Sequence, residues 1–252
     1  MTSEPQAEKG PAGARLSGPP SLRPVGIVVA VEAERTILRK VTKSWAGLVP
    51  RIIVSGMGQT AAAAAAEQLA ESGVCGLMSF GYAGAIRPGL RRGTVVIAEE
   101  VHDGEGRRYA TDTAWRQQLA GVLGSHENVR TGAFVSVAAV ASSPSQKAKL
   151  ADLSEAVAVD MESAAIAGVA ERHAIPFIAL RAIVDEAHHT VPSAVSHAVD
   201  ASGRTRPWRL ALPLLRRPAE IAALLTLARG ADAADKALSE ACRLAGPGFG
   251  LV

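Results

Sequence analysis

The sequence predicts one α/β domain, in which β-strands and helices alternate along the chain. Short apolar runs rich in β-branched residues recur, and helix-length segments separate most of them. The clearest pair, residues 156–159 and 177–183, encloses one such segment, which is the pattern of a βαβ unit in a parallel sheet. A chain of 252 residues with 48% hydrophobic content can bury one full core. Ligands of such sheets bind at the carboxyl ends of the strands.

The individual elements follow from their apolar spacing. Strands are expected at residues 25–31, 51–55, 76–80, 94–99, 129–135, 156–159 and 177–183. The clearest helices carry apolar residues at helical spacing and are expected at residues 59–72, 112–123, 161–173 and 219–244. A further helix is expected to begin directly after the first strand. We find no internal repeat.

The two ends of the chain differ from this pattern. Residues 1–24 are rich in Pro, Gly, Ser and charge, so we expect a disordered tail before a domain of residues 25–252. Residues 200–252 are expected to form a C-terminal helical extension. Within it, residues 204–218 mix Arg and Leu around Trp208. A helix that covers a sheet edge is the preferred interpretation, and a contact with a membrane surface or a lipid-like substrate is the alternative.

Composition excludes several classes of function. The formal net charge is only +3, and no basic run is interleaved with aromatic residues, so we expect no nucleic acid partner. The two cysteines, Cys75 and Cys242, provide neither a disulfide framework nor metal-ligand spacing. No apolar stretch reaches the ~18 residues that cross a bilayer, and the N-terminus lacks the apolar core of a signal peptide. We therefore expect a cytoplasmic protein.

Two motifs have simpler explanations than cofactor binding. Residues 56–61, Gly-Met-Gly-Gln-Thr-Ala, match a dinucleotide pattern, but the following strand at 76–80 does not end in the acidic residue that binds ribose. A tight strand-to-helix turn is the better interpretation. Residues 185–188, Asp-Glu-Ala-His, resemble a helicase box, but the chain has no Gly-Lys pair for a P-loop. Together with His189 they supply too few ligands for a zinc site, so we predict no metal and no organic cofactor.

Carboxylates stand at three strand exits. Glu32 and Glu34 follow the first strand, Glu162 follows residues 156–159, and Asp185 follows residues 177–183. Carboxylates in a first helical turn commonly serve only the helix dipole. At the same edge of one sheet, however, they would face one crevice, where one member of the Glu32 and Glu34 pair could act as a general base.

These residues lie in segments that resemble the nucleoside phosphorylase and nucleosidase family, which includes purine nucleoside phosphorylases and methylthioadenosine/adenosylhomocysteine nucleosidases. The matching segments are residues 30–34, 55–58, 81–85, 159–165 and 182–185. Residues 197–218 are similar to the hopanoid-associated phosphorylase subfamily, which is linked to the removal of adenine from adenosylhopane. The resemblance implies a mixed central sheet flanked by helices and cleavage of the bond between a purine and C1 of ribose.

The resemblance also assigns roles to residues. Asp185 matches the acid that protonates purine N7. Glu162 matches the residue that binds the 2′ and 3′ hydroxyls and lies near the oxocarbenium-like sugar. Met161 would pack against the sugar, and Glu34 would orient the attacking water. Val140 stands about where the family stacks an aromatic residue on the base.

The nucleophile is the open question of the sequence. The segment Gly81–Tyr82–Ala83–Gly84 stands where many relatives have Gly-Ser-Ala-Gly, so Tyr82 and Gly84 are expected to contact substrate, while Ser79 replaces a phosphate-binding arginine. Backbone amides near Gly84 and the side chain of Arg35 could still bind phosphate. The subfamily favours phosphorolysis, whereas Glu34 and the missing phosphate ligands favour hydrolysis; we prefer phosphorolysis, with inorganic phosphate as co-substrate.

The expected function is therefore the release of adenine from adenosylhopane in hopanoid side-chain synthesis. A methylthioadenosine/adenosylhomocysteine nucleosidase is the alternative with the same chemistry, and it would need only a small pocket. An alternative of another class is a nucleoside-binding module without catalysis. Because relatives assemble into dimers, trimers or hexamers, a homo-oligomer is expected.

Overall fold

One mixed β-sheet contains all the strands of the described residues. The computed structural model describes residues 23–124, 128–192 and 219–251. Within these ranges the strands are β1 (Gly26–Val29), β2 (Arg51–Val54), β3 (Leu77–Ala85), β4 (Val95–His102), β5 (Arg108–Ala110), β6 (Val129–Ser136), β7 (Ala158–Asp160) and β8 (Phe177–Asp185). The helices are α1 (Glu32–Thr42), α2 (Gln59–Glu71), α3 (Thr113–Leu123), α4 (Pro144–Leu153), α5 (Ser163–Arg172) and α6 (Ala219–Ala245).

The strand order is β2-β1-β3-β7-β6-β4-β5, and β8 pairs with β3 and β4. β3 pairs in parallel with β8 and in antiparallel with β7. The predicted βαβ unit, formed by the runs 156–159 and 177–183, is therefore wrong, because β7 and β8 pair with β3 in opposite senses rather than with each other. Local apolar spacing specifies a strand but not its partner. The mixed sheet flanked by helices, which the family resemblance implied, is confirmed.

Helices cover both faces of the sheet, and successive residues of the central strands enter different apolar clusters. In β1, Val28 belongs to the cluster that contains Leu69 of α2 and Ile166 of α5. Its neighbour Ile27 belongs to the opposite cluster, where α1, α3 and α6 contribute. Burial on both faces explains why the central strands are apolar at nearly every position.

Several bounds differ from the sequence prediction. β3 continues to Ala85 and β8 to Asp185, five and two residues beyond the predicted ends at 80 and 183. The short strand β5 and the helix α4 were not predicted at all. β5 is three residues long with two of them exposed, and the only buried residue of α4 is Lys147, so neither segment shows an apolar period.

Parts of the predicted chain ends lie outside the described residues. These are residues 1–22 of the predicted tail and the interval 193–218, which includes the Arg- and Leu-rich segment 204–218. The predicted helix at 219–244 is confirmed as α6. Among the described helices, none combines the length and the apolarity that spanning a membrane requires.

Candidate active site

Arg181 is the centre of a buried ionic cluster. It lies in β8, and its side chain is 2% exposed. Its Nη2 atom is 3.0 Å from Asp160 Oδ2 and 3.5 Å from Glu162 Oε2, and its Nη1 atom is 4.0 Å from Glu34 Oε1. Ser79 Oγ accepts a further hydrogen bond at 2.7 Å. The structure thus brings the predicted Glu34 and Glu162 onto one guanidinium, with Asp160 as a third carboxylate.

Glu34 is held by backbone N–H groups that follow β1 and by one within β3. Its Oε2 atom accepts hydrogen bonds from the backbone N–H of Ala30 at 2.7 Å and of Val31 at 3.1 Å, and its Oε1 atom accepts one from Tyr82 N at 2.9 Å. Burial raises the pKa of Glu34, although Arg181 and these N–H groups oppose the shift. Glu32, by contrast, forms a partly exposed ion pair with Arg35 at 2.7 Å. Of the two glutamates after β1, only Glu34 joins the cluster.

The glycine segment of β3 packs directly on Glu34. At Gly81 the backbone φ is +152°, and a Cβ atom there would lie 2.0 Å from Glu34 Oε1. Glycine is required at this position because any side chain would displace the carboxylate. The next residue, Tyr82, donates its hydroxyl hydrogen bond to Asp235 of α6. Burial, together with Asp235, raises the pKa of Tyr82. The backbone of Tyr82 thus donates to Glu34, and its side chain binds α6. The predicted contact of Tyr82 with substrate stays a prediction.

Glu162 connects the cluster to the turn before α2. It stands directly before α5 and makes no capping hydrogen bond there. Its Oε1 atom instead accepts a hydrogen bond from Gly58 N at 3.0 Å. Burial raises the pKa of Glu162 to about 7, with Asp160 adding to the shift and Arg181 opposing it. The motif at residues 56–61 is thus a strand-to-helix turn, as predicted, with Gly58 in the left-handed region at φ +98°.

Asp185 forms a second ionic pair at the end of β8. The residue is 7% exposed, and its Oδ2 atom accepts a hydrogen bond from the ammonium group of Lys147 in α4. Lys147 also donates to the backbone carbonyl oxygens of Glu186 at 2.8 Å and of His189 at 3.0 Å. Burial raises the pKa of Asp185, and Lys147 counteracts part of the rise.

The two ionic groups flank Gly84 of β3. This residue is in register with Val159 of β7 on one side and with Asp185 of β8 on the other. A Cβ atom at Gly84 would lie 3.2 Å from both carboxylate oxygens of Asp185. The ends of β7 and β8 therefore meet at Gly84, and the half-buried Met161 and the buried Glu162 follow β7 directly. The other predicted residue, Val140, is half-buried in the loop between β6 and α4.

The turn after Asp185 carries one group of potential metal ligands. Atoms of Glu186, His188 and His189 lie within 4.8 Å of one another. Positive charge already occupies this turn, because Arg92 Nε is 3.5 Å from Glu186 Oε1 and Lys147 binds two of the carbonyl oxygens. We assign no metal to this group, and the prediction of a metal-free protein stays a prediction.

Sequence reasoning missed Arg181, Asp160 and Lys147. Arg181 had a usable signal, because a charged residue inside an otherwise apolar strand must be paired when it is buried. Asp160 had a weaker signal, its position two residues before Glu162. Lys147 had none, since it lies on a helix without apolar periodicity and meets Asp185 only through the tertiary fold.

Comparison with known proteins agrees with this architecture. The methylthioadenosine/adenosylhomocysteine nucleosidase of Neisseria meningitidis, solved with methylthio-immucillin-A, is similar with a TM-score of 0.65 and 22% identity over 88% of this chain and 99% of that chain. The futalosine hydrolase of Helicobacter pylori is similar with a TM-score of 0.65 and 17% identity, over 88% of this chain and 97% of that chain. The adenosylhomocysteine nucleosidase of Streptococcus pyogenes, solved with 5-methylthiotubericidin, is similar with a TM-score of 0.64 and 19% identity, over 88% of this chain and 96% of that chain. These likenesses establish a shared fold.

The sequence itself establishes the family. The sequence model of the phosphorylase superfamily matches residues 28–216, a range that begins in β1 and includes Glu34, Glu162 and Asp185. Together with the shared fold, this match shows that the chain belongs to the phosphorylase superfamily.

Proposed function

We propose that the protein cleaves the N-ribosidic bond of an adenine nucleoside and releases adenine. The observation that carries the proposal is the meeting of β7 and β8 at Gly84, which places Asp185 beside a glycine and Glu162 at the start of the adjoining helix. Membership of the phosphorylase superfamily supports it. The similar solved structures support it as well, because they are nucleosidases and a futalosine hydrolase.

Asp185 is the proposed general acid. Adenine is a poor leaving group, so its N7 atom must gain a proton or a strong hydrogen bond as the bond to ribose breaks. Burial raises the pKa of Asp185, which favours the protonated form that this step needs. Its position at the strand end suits contact with a bound base.

Glu162 is the proposed ligand of the ribose hydroxyls. Its carboxylate would accept hydrogen bonds from the 2′ and 3′ hydroxyls and place negative charge near the oxocarbenium-like sugar. The pKa of about 7 means that little energy separates its neutral and ionised forms at neutral pH. A ligand that donates hydrogen bonds to the carboxylate would favour the ionised form.

Water is the proposed nucleophile, with Glu34 orienting it. Three backbone N–H groups hold Glu34 in one orientation, and its raised pKa suits a general base. Arg181 and Lys147 already neutralise carboxylates in the site, which disfavours a phosphate ion. Phosphorolysis, the preference from sequence, is therefore the second candidate.

Adenosylhopane is the proposed substrate, and methylthioadenosine and adenosylhomocysteine are the alternatives. The support for adenosylhopane is the subfamily resemblance of residues 197–218, whose structure lies outside the described residues. The alternatives are supported by the similarity to nucleosidases named for these two compounds. Removal of residues 204–218 should lower the preference for adenosylhopane over methylthioadenosine.

The direct test is incubation of the purified protein with each of the three nucleosides, with and without phosphate. Chromatography would measure adenine, and mass spectrometry would distinguish a free sugar from a sugar 1-phosphate. Free sugar in both conditions supports hydrolysis, and a phosphate-dependent sugar phosphate supports phosphorolysis. Binding by calorimetry without adenine release from any substrate would instead identify a nucleoside-binding module.

Asp185→Asn tests the assignment of the acid. We expect the rate of adenine release to fall about 10²- to 10⁴-fold, the usual contribution of a positioned general acid. Asp152→Asn is the matched control, because Asp152 is exposed on α4 and should retain the wild-type rate. Near-normal turnover by a folded Asp185→Asn variant would reject the assignment.

A further inference from the structure

Lys147 is a buried cation whose hydrogen bonds converge on one turn. Its side chain is 1% exposed, and burial of a lysine ammonium is unfavourable unless acceptors replace water. Here three acceptors do so: Asp185 Oδ2 and the backbone carbonyl oxygens of Glu186 and His189. An ammonium group has three donors, so all of them are used. This arrangement fixes the carboxylate and the turn that follows it.

The pairing with Lys147 engages only one of the two carboxylate oxygens of Asp185. Oδ2 accepts from Lys147, whereas within the described part of the chain Oδ1 accepts no hydrogen bond. Both oxygens face the position of the absent side chain of Gly84. Among the described residues Oδ1 therefore has no competing donor, and the hydrogen bond of Oδ2 to Lys147 restricts rotation of the carboxylate.

We propose that Lys147 is a positioning residue for Asp185, which holds the carboxylate by Oδ2 and presents Oδ1 to the base of the substrate. The inference rests on the proposed function, because it assigns Lys147 a task in the same site. Lys147 acts through Asp185 and needs no contact with the substrate.

The positioning role has a consequence for pH dependence. Among the described residues, the charged and titratable groups around Asp185 are Lys147 on α4, Glu186 and His189 on the following turn, and Arg92, which pairs with Glu186. Lys147 opposes protonation of Asp185, so its removal should let Asp185 keep a proton to higher pH. If protonated Asp185 is the acid, the alkaline limb of the rate profile should move upward.

The test compares Lys147→Met, Lys147→Arg and the control Lys149→Met, which alters an exposed lysine of the same helix. We expect Lys147→Met to lower adenine release at pH 7 about 10- to 100-fold, the scale of a misplaced catalytic group, and to shift the alkaline limb upward by about one pH unit or more. Lys147→Arg preserves the charge and should leave the limb in place. Lys149→Met should match the wild type in both respects.

A second measurement does not need catalysis. In protein labelled with carbon-13 at aspartate carboxyls, the signal of Asp185, assigned with Asp185→Asn, should titrate at higher pH in Lys147→Met than in the wild type. An unmoved titration midpoint, or a rate loss without a shift of the limb, would overturn the proposal. If the wild type releases no adenine, the proposed function fails, while the carboxyl titration still decides whether Lys147 controls Asp185.

Discussion

Gly230→Ala tests how tightly the C-terminal helix packs on the strand that carries Asp185. In the structure a Cβ atom at Gly230 of α6 would lie 1.8 Å from the carbonyl oxygen of Val184 in β8 and 3.0 Å from Cδ of Arg92. Ordinary contact begins near 3.4 Å. The methyl group therefore forces α6 and β8 apart by more than an ångström, and Val184 directly precedes Asp185.

The expected change in stability of Gly230→Ala is opposite in sign to the change that helix propensity alone predicts. Replacing an interior helical glycine by alanine ordinarily stabilises by about 1 kcal/mol, whereas overpacking a close contact costs about 1–3 kcal/mol. The backbone position of the clash favours the upper part of that range, so a net loss of about 1–2 kcal/mol follows. For a chain of this size the melting temperature should fall by about 2–8 °C.

Gly121→Ala in α3 is the matched control, because in the described part of the chain a Cβ atom at that position would meet no heavy atom within 4 Å beyond its own helical backbone and chain neighbours. Thermal and urea unfolding of both variants should show opposite signs, with Gly121→Ala unchanged or slightly stabilised. Adenine release by Gly230→Ala should also fall, since the displaced strand carries Asp185. Equal stabilisation by the two substitutions would refute the close packing of α6 on β8.

Two further predictions concern the cluster around Arg181. Arg181→Met should lower the free energy of unfolding by about 3–5 kcal/mol at neutral pH, because buried carboxylates lose their counter-ion. The control Arg172→Met, at an exposed ion pair with Glu67, should change the free energy of unfolding by less than about 1 kcal/mol. Equal effects of the two substitutions in urea unfolding would contradict the role of Arg181 as the counter-ion of the buried cluster. Glu162→Gln should gain stability relative to the wild type as pH rises from about 4.5 to about 7. In this window the Glu162 carboxyl ionises more readily in the unfolded chain than in the folded protein, where its pKa is raised, so the wild type loses stability as pH rises and the glutamine variant does not. A difference in melting temperature between variant and wild type that stays constant across this range would reject the burial of the Glu162 charge.

Much of the candidate site could be anticipated from sequence because strand exits are local features. An apolar β-branched run followed by a carboxylate predicts both a strand and the position of the acid, and this placed Glu34, Glu162 and Asp185 correctly at the ends of their strands. The Gly-rich turn at residues 56–61 was predicted for the same reason, because its conformation depends on its own residues. The roles of these side chains in catalysis stay predictions.

Pairing between distant segments could not be anticipated. The antiparallel contact of β7 with β3 depends on hydrogen bonds between residues about 75 positions apart, and nothing in either segment specifies that partner. Helix α4 was missed because the only residue that it buries is charged rather than apolar.

By itself the amino-acid sequence determined the α/β class, most strands and helices, and the three carboxylates at strand exits, since these depend on periodicity and on neighbours in the chain. Only the tertiary structure decided that Arg181 joins Glu34 to Glu162, that Lys147 holds Asp185, and that α6 closes on β8. The physical reason is that a buried charge must find its counter-charge in space, and the partner can come from any element that the fold brings near.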